Sequence, residues 1–142
     1  MIEIKSFDYL TDDERMLRTT VFVDEQKFSE EFDRIDDTCH HLVLYIDNEP
    51  VACVRFFTDN NPREYHLGRL CVLKEYRGQH LGDLLVREVE KCVKDLGGTV
   101  IVLSAQLRAS GFYEKLGYIK MGDIYYDEYC EHIHMEKSLV NS

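Results

Sequence analysis

The chain has 142 residues, five cysteines, two prolines and a formal net charge of −10. That length suits one domain, 1–142, able to bury its own core without a disulfide or metal staple. Its mixture of 44% hydrophobic and 31% charged residues excludes a wholly disordered chain. No apolar run approaches the roughly 20 residues of a membrane span, and Met1-Ile2-Glu3-Ile4-Lys5 lacks the layout of a signal peptide. An odd cysteine count with no C-x-x-C pair indicates reduced, cytoplasmic thiols rather than a disulfide framework or a zinc site.

The charge is unevenly spread. Residues 1–50 carry 14 acidic and 5 Lys/Arg side chains, 51–120 carry 8 and 11, and 121–142 carry 5 and 1. Duplex nucleic acid is a poor partner for such a chain, because binding it requires a broad basic face. The mildly basic middle suits a small anion, and the acidic ends favour a cationic or amine substrate.

In chain order, Ile2 and Ile4 alternate in a first strand over 2–7. Thr11 caps a helix that opens with Asp12-Asp13-Glu14 and carries Met16, Leu17, Val21 and Phe22 at helical spacing. Residues 24–38 read as a dense acidic loop, Glu30-Glu31-Phe32-Asp33-Arg34-Ile35-Asp36-Asp37, in which Asp33, Asp36 and Asp37 are solvated or, as the lesser reading, attract a cationic substrate. His41 to Ile46 and Val51 to Thr58 form a hairpin about Asp47-Asn48-Glu49-Pro50. Tyr65 to Val72 is a further strand. A polar connector over 73–80 then leads into a helix striped by Leu81, Leu84, Leu85, Val89, Cys92, Val93 and Leu96, which Gly97-Gly98 ends. Thr99 to Ser104 is a β-branched run expected to be buried on both faces. Strand, helix and strand over 65–104 make a right-handed crossover between two parallel strands. A short helix over 107–116 and late strands at 118–121 and 129–137 complete an α/β domain with a mixed, mostly antiparallel sheet and one parallel pair flanked by helices.

The chemistry concentrates in the connector Leu73-Lys74-Glu75-Tyr76-Arg77-Gly78-Gln79-His80-Leu81-Gly82, which leaves a strand and enters a helix. Helix N-terminal amides bind phosphate, glycines let a backbone approach closely, and Arg77 adds charge. Two glycines and an arginine describe a plain capped loop at least as well. Neither G-x-G-x-x-G nor G-x-x-x-x-G-K-[ST] is present.

Arg77-Gly78-Gln79-His80-Leu81-Gly82 resembles the R/Q-x-x-G-x-G/A pyrophosphate loop of the GNAT superfamily of N-acetyltransferases, with His80 where the family has its first loop glycine. Gly111-Phe112-Tyr113-Glu114-Lys115-Leu116-Gly117-Tyr118 resembles that family's second motif. Arg18 to Gln26, His40-His41, Ser104-Ala105-Gln106 and His132-Ile133-His134-Met135 are similar to the small bacterial ElaA/YjcF-like branch. Together these motifs span nearly the whole chain.

The resemblance implies acetyl-CoA as donor. It places the pyrophosphate on residues 77–83 (Arg77, Gly78, Gln79, His80, Leu81, Gly82, Asp83). It runs the pantetheine along Leu70-Cys71-Val72, with a backbone N–H near Val72 facing the thioester oxygen, and it adds Gln106 to the donor site. It implies Tyr113 as the acid that protonates the leaving thiolate; on the residues alone, Tyr113 reads equally as a packing tyrosine. Glu25 is either a base or amine ligand, or a solvent-facing loop glutamate. His41 and His132 are candidates to line the acceptor pocket. His40, His41, His132 and His134 lack a carboxylate or cysteine at metal-binding spacing, so no metal is expected. Cys71 reads as an inert strand cysteine rather than an acyl carrier.

The expected function is direct acetyl transfer from acetyl-CoA to the primary amine of a small molecule or peptide, by a cytoplasmic bacterial monomer or homodimer with no membrane or nucleic-acid partner. A non-catalytic acyl-CoA-binding or regulatory module on the same fold is the alternative, because fold alone does not decide function. RNA acetylation is disfavoured by the net charge of −10.

Overall fold

The computed structural model describes residues 1–29 and 31–140, so Glu30 of the expected acidic loop lies outside the described residues. The chain is α/β, with a seven-stranded mixed sheet in the order β1-β2-β3-β4-β5-β7-β6. The strands are β1 (Ile2–Phe7), β2 (His40–Ile46), β3 (Glu49–Thr58), β4 (Glu64–Val72), β5 (Val100–Gln106), β6 (Ile119–Asp127) and β7 (Cys130–Ser138). The helices are α1 (Asp12–Arg18), α2 (Leu81–Asp95) and α3 (Ser110–Lys115). The β4–β5 pair is parallel, as expected of the strand–helix–strand crossover. Two compact units share these elements, one comprising residues 1–57 and 67–89, the other 58–66 and 90–142. No helix among the described residues is long and apolar enough to cross a membrane.

In the first unit, β1 and β2 pair antiparallel from Ile2–Ile46 to Phe7–His41, and β2 returns into β3 with a bulge between Leu44 and Tyr45. The turn is two residues, Asp47 and Asn48, both at positive φ (50° and 71°), the geometry that matches hairpin twist. β3 therefore starts at Glu49, slightly before the expected Val51. The single expected helix after Thr11 is in fact two kinds of turn. The Thr11 hydroxyl accepts from the Glu14 amide, and α1 runs only to Arg18. Thr19–Glu25 continues as π-helix, with the Gln26 amide reaching back five residues to the Val21 carbonyl at 3.0 Å. Leu17, Val21, Phe22, Val43, Tyr45, Cys53 and Cys71 form one core cluster of this unit.

Beside that core lies a charge network invisible to hydropathy. Arg18 has no exposed surface and donates to Glu14 (2.8 Å), Glu31 (2.8 Å) and Asp36 (2.7 Å). Arg55 donates to Asp33 (2.6 Å) and Asp36 (3.0 Å), and Arg69 pairs with Glu31 at 2.9 Å. The solvated acidic loop is thus corrected in part. Asp36 and Glu31 are buried, because the guanidinium groups replace the water they give up. Asp36 accepts from two arginines and from the Asp33 amide, and is held down to about 2 despite its burial. For Glu31 burial outweighs Arg69 and Arg18, and its carboxyl is raised above the usual range.

His41 closes the network. It is fully buried, with Nδ1 against the Glu14 carboxylate (2.8 and 2.9 Å) and Nε2 facing the Asp36 carbonyl at 3.0 Å. An imidazole with an oxygen acceptor at each nitrogen donates from both, so His41 is an imidazolium. Among the described residues, four carboxylates (Glu14, Glu31, Asp33, Asp36) then face four cations (Arg18, Arg55, Arg69, His41). The expectation that His41 lines an acceptor pocket is corrected accordingly: its ring is enclosed and committed.

In the second unit, β5 and β7 pair antiparallel from Val100–Ser138 to Gln106–His132. Ile101, Val102, Leu103, Ile133 and Met135 are buried, whereas Ser104 at the end of the expected buried run is exposed. The start of β4 joins β5 through bonds from the Thr99 and Val100 amides to the Arg63 carbonyl (2.8 and 3.3 Å). Gly98 leaves no room for a side chain: a Cβ there would lie 2.3 Å from Val93 and 2.8 Å from Tyr65. β6 is longer than the expected 118–121. Its register on β7 jumps between Met121 and Tyr125, and Gly122 (φ 78°) carries the bulge that hides the alternation.

The raised pKa of His41, about 10, means that its stabilising contribution is complete below its unfolded value of 6.5 and is lost as pH rises through about 10. Asp36 works in the opposite sense: its contribution is present above 3.8 and is lost as pH falls towards about 2. Urea midpoints measured between pH 6 and 10.5 should therefore fall on the alkaline side, with the fall absent in His41→Phe. Arg18→Leu should cost about 3–5 kcal/mol at neutral pH, because it strands buried carboxylates; a loss below about 1 kcal/mol would remove the network from its central place.

Candidate functional site

The connector expected to bind an anion belongs to the first unit. β4 ends at Val72, a single 3₁₀ turn spans Lys74–Tyr76, and α2 begins at Leu81. The Leu73 amide is held by the Val51 carbonyl (2.9 Å), and the Leu84 amide by that of His80 (3.2 Å). Arg77, Gly78, Gln79 and His80 are exposed, Leu81 is buried, and Gly82 and Asp83 are half-buried. Along β4, Cys71 is buried while Leu70 and Val72 are half-buried. The first-turn N–H groups of a helix have no carbonyl partner within it, and those of α2 lie next to this exposed loop.

Two residues of the loop have left-handed backbone. Gly78 lies at φ 85°, where nothing approaches its Cβ position, and His80 lies at φ 61°. His80 stands where the GNAT loop has glycine, and its backbone keeps the conformation glycine favours. Its side chain is 84% exposed, with Nδ1 3.6 Å from Asp83 Oδ2, so the ring projects into solvent rather than into the backbone of the loop.

Arg77 and Glu25, expected to serve an anion and an amine respectively, are brought together. Arg77 donates from both terminal nitrogens to the two carboxylate oxygens of Glu25, each at 2.7 Å, and from Nε to the Val72 carbonyl at 2.9 Å. The pairing raises the Arg77 guanidinium above its ordinary value. Glu25 is thus half of an ion pair, a role the sequence separation of 52 residues conceals.

The remaining expected residues belong to the second unit. Tyr113, on α3, is buried against Phe112 (ring centroids 5.0 Å) and Tyr118 (5.8 Å). Burial pushes its phenol well above the usual tyrosine range, so the hydroxyl is protonated at neutral pH. Gln106 accepts from Arg108 at 2.9 Å. Gln106, His132 and Tyr125 are cross-strand partners in one row, with Ser104, His134 and Met121 in the next row on the same face. His132 is buried. Its Nδ1 meets the Cys130 carbonyl at 3.0 Å, and its ring stacks on Tyr125. The Tyr125 hydroxyl also contacts the Ser104 hydroxyl. Sequence reading missed Tyr125, since the bulge at 122–124 breaks the periodicity that would have aligned it with His132.

Ligand atoms of Asp36, Cys39 and His41 lie within 4.8 Å of one another. Arg18 and Arg55 already occupy the Asp36 carboxylate, and both His41 nitrogens are donors. A cation there would displace two guanidinium contacts.

The sequence profile described as Acetyltransferase (GNAT) domain matches residues 10–139. The chain is 34% identical over 128 residues to the Bacillus subtilis protein YyaT, covering 87% of this chain and 85% of that one. It is 35% identical over 104 residues to the uncharacterised Bacillus subtilis N-acetyltransferase YjcF, covering 72% and 73%. The crystal structure of Escherichia coli ElaA superposes with a TM-score of 0.85 at 26% identity, covering 96% of this chain and 99% of that one.

The left-handed φ of His80 yields a direct test. His80→Gly should leave stability unchanged or raise it by up to about 1 kcal/mol, whereas His80→Val should lower it by about 1–2 kcal/mol. Equal melting temperatures for the histidine, glycine and valine proteins would mean that the backbone at this residue is not left-handed in solution.

Proposed function

Because the chain belongs to the GNAT acetyltransferase family, in the ElaA/YjcF-like branch, and is accordingly an acyl-CoA-dependent acyltransferase, we propose that its donor is acetyl-CoA and its acceptor the primary amine of a small molecule or peptide. The observation that carries the donor half is the exposed loop 77–80, left-handed at Gly78 and His80, running into the N-terminus of the 15-residue α2. Backbone N–H groups of residues 78–83 receive the pyrophosphate there, and the helix dipole favours its charge. The half-buried strand end Leu70-Cys71-Val72 lies beside the pantetheine, and the Val72 N–H steadies the thioester oxygen as negative charge develops on it. Gln106 completes the donor contacts.

The reaction is one direct transfer. The neutral amine nitrogen bonds to the thioester carbonyl carbon, the carbon–sulfur bond breaks, the nitrogen releases a proton, and the departing thiolate takes one. Tyr113 supplies that last proton. A phenol carries its proton throughout the neutral range in any case, and burial pushes that of Tyr113 further up, so the proton to be donated is present there. The polar, aromatic face carrying His132, Tyr125 and Ser104 is the acceptor side of this reading. The reading places one catalytic domain over residues 1–142, in the bacterial cytoplasm, as a monomer or homodimer. The five unbridged cysteines support a reducing compartment.

Acetyl-CoA at millimolar concentration should raise the melting temperature by mass action, and Gly82→Glu should abolish that rise. In an acceptor screen that follows free thiol, Tyr113→Phe should lower kcat by roughly 10²–10⁴ while donor affinity stays near wild type. Donor binding with no turnover on any amine would favour a non-catalytic acyl-CoA module instead, and full activity in the Phe protein would transfer the acid role from Tyr113.

A further inference from the structure

We infer that Glu25 and Arg77 form a clamp that positions the donor loop, so that Glu25 is a positioning residue for CoA binding and Arg77 acts through the loop's backbone rather than as a phosphate ligand. The inference rests on the donor reading above and deepens it. Three N–H groups of Arg77 are committed: Nε to the Val72 carbonyl at 2.9 Å, and one from each terminal nitrogen to Glu25 at 2.7 Å. Both Glu25 oxygens are used. The side chain therefore ties the first residue of the loop to two ends of regular structure, the last residue of β4 and the last residue of the π-helical segment.

The sequence around each partner supports the assignment. Gly78, Gln79 and His80, which follow Arg77, are exposed and include two left-handed residues. Such a stretch does not hold one conformation by its own packing, and it is anchored at one end by the Arg77 side chain and at the other by α2. Glu25 is delivered by a wide π turn that closes with a further left-handed residue, Lys27 at φ 65°. π turns cost helical regularity and recur at functional sites. A diphosphate recruiting Arg77 directly would find only its two uncommitted N–H groups, on a guanidinium whose charge Glu25 already offsets, and would face the Glu25 carboxylate beside them. With the pair intact, the guanidinium charge is offset, and the anion's favourable field comes from the loop and helix amides.

The pair is about two-fifths exposed on each side (39% and 38%). Surface ion pairs contribute little to global stability, so a clamp and a mere stabilising bridge separate cleanly. The test is calorimetric CoA binding to the full-length wild type, Glu25→Gln, Arg77→Ala, the double variant, and the reversed pair Glu25→Arg with Arg77→Glu. A clamp predicts that each single change weakens CoA about tenfold, the scale of small positional errors at a site. It also predicts that the double variant is no weaker than either single, and that melting temperatures without ligand stay within a few degrees.

The reversed pair should recover part of the affinity, and with an accepted amine Glu25→Gln should raise KM for acetyl-CoA while kcat at saturating donor is retained. A Glu25→Gln protein that binds CoA as tightly as wild type, or more tightly, overturns the inference, because a phosphate-seeking Arg77 would be released by that change. Additive losses in the double variant, or a fall in kcat at saturating donor, also overturn it. A wild type that binds no CoA overturns the donor reading itself. Backbone hydrogen exchange of residues 78–83 in the free proteins then reads the clamp separately: equal acceleration in both single variants supports it, and unchanged exchange removes it.

Discussion

A guanidinium with no exposed surface constrains everything around it. Arg18 sits at the end of α1 and meets carboxylates from α1 itself, from Glu31 and from Asp36. A lone charge in that place would be prohibitive, and one pair would return little after desolvation. The arrangement works because every member meets more than one partner, although Glu14 Oε1 and Arg55 Nε make no hydrogen bond, and because the signs among the described residues balance once His41 is counted as a cation. Val21 and Phe22 anchor the start of the segment between α1 and β2 in the core, whereas the residues from 31 to 36 are held chiefly by charge. Their course is dictated by which carboxylate each arginine requires, with Arg55 and Arg69 holding Asp33, Asp36 and Glu31 from β3 and β4.

The same economy of charge governs the loop that follows Arg77 at smaller scale. There the partners are half exposed, so the ion pair contributes geometry more than energy. The buried network and the exposed Glu25–Arg77 pair both use acids from the strongly negative first third of the chain to hold arginines: Arg55, Arg69 and Arg77 from the basic middle, and Arg18 from the first third itself. The division of charge along the sequence is thus partly internal pairing rather than an outward-facing field.

Tyr113 and His132 illustrate how a packed layer sets chemistry. Aromatic neighbours remove water from the Tyr113 ring, and this burial pushes its phenol above the usual tyrosine range. The Cys130 carbonyl can only accept, so Nδ1 of His132 carries hydrogen. Neither effect needs a charged partner.

Much of the architecture was legible from local pattern. Thr11 before three acids, the leucine and valine stripe from Leu81 to Val93 and the β-branched run from Val100 to Leu103 each state their structure through propensity and period, which act over a few residues. The loop Arg77 to Gly82 was legible through its motif, and its left-handed residues were foreshadowed by Gly78 and by a family glycine at the place of His80. The rest depended on contacts between residues far apart in sequence. A run of acids looks solvated until an arginine from another strand is folded against it, so Asp36 and Glu31 could not be told from Asp37. His41 looked like a site histidine because a buried imidazolium and an exposed one have the same neighbours in sequence. The π turn after Arg18 and the bulge after Met121 shift phase without changing composition, which hid the extent of β6. Glu25 and Arg77 were both singled out by sequence, but only the tertiary structure decided that they serve each other, since a bidentate bond depends on two backbones being fixed first.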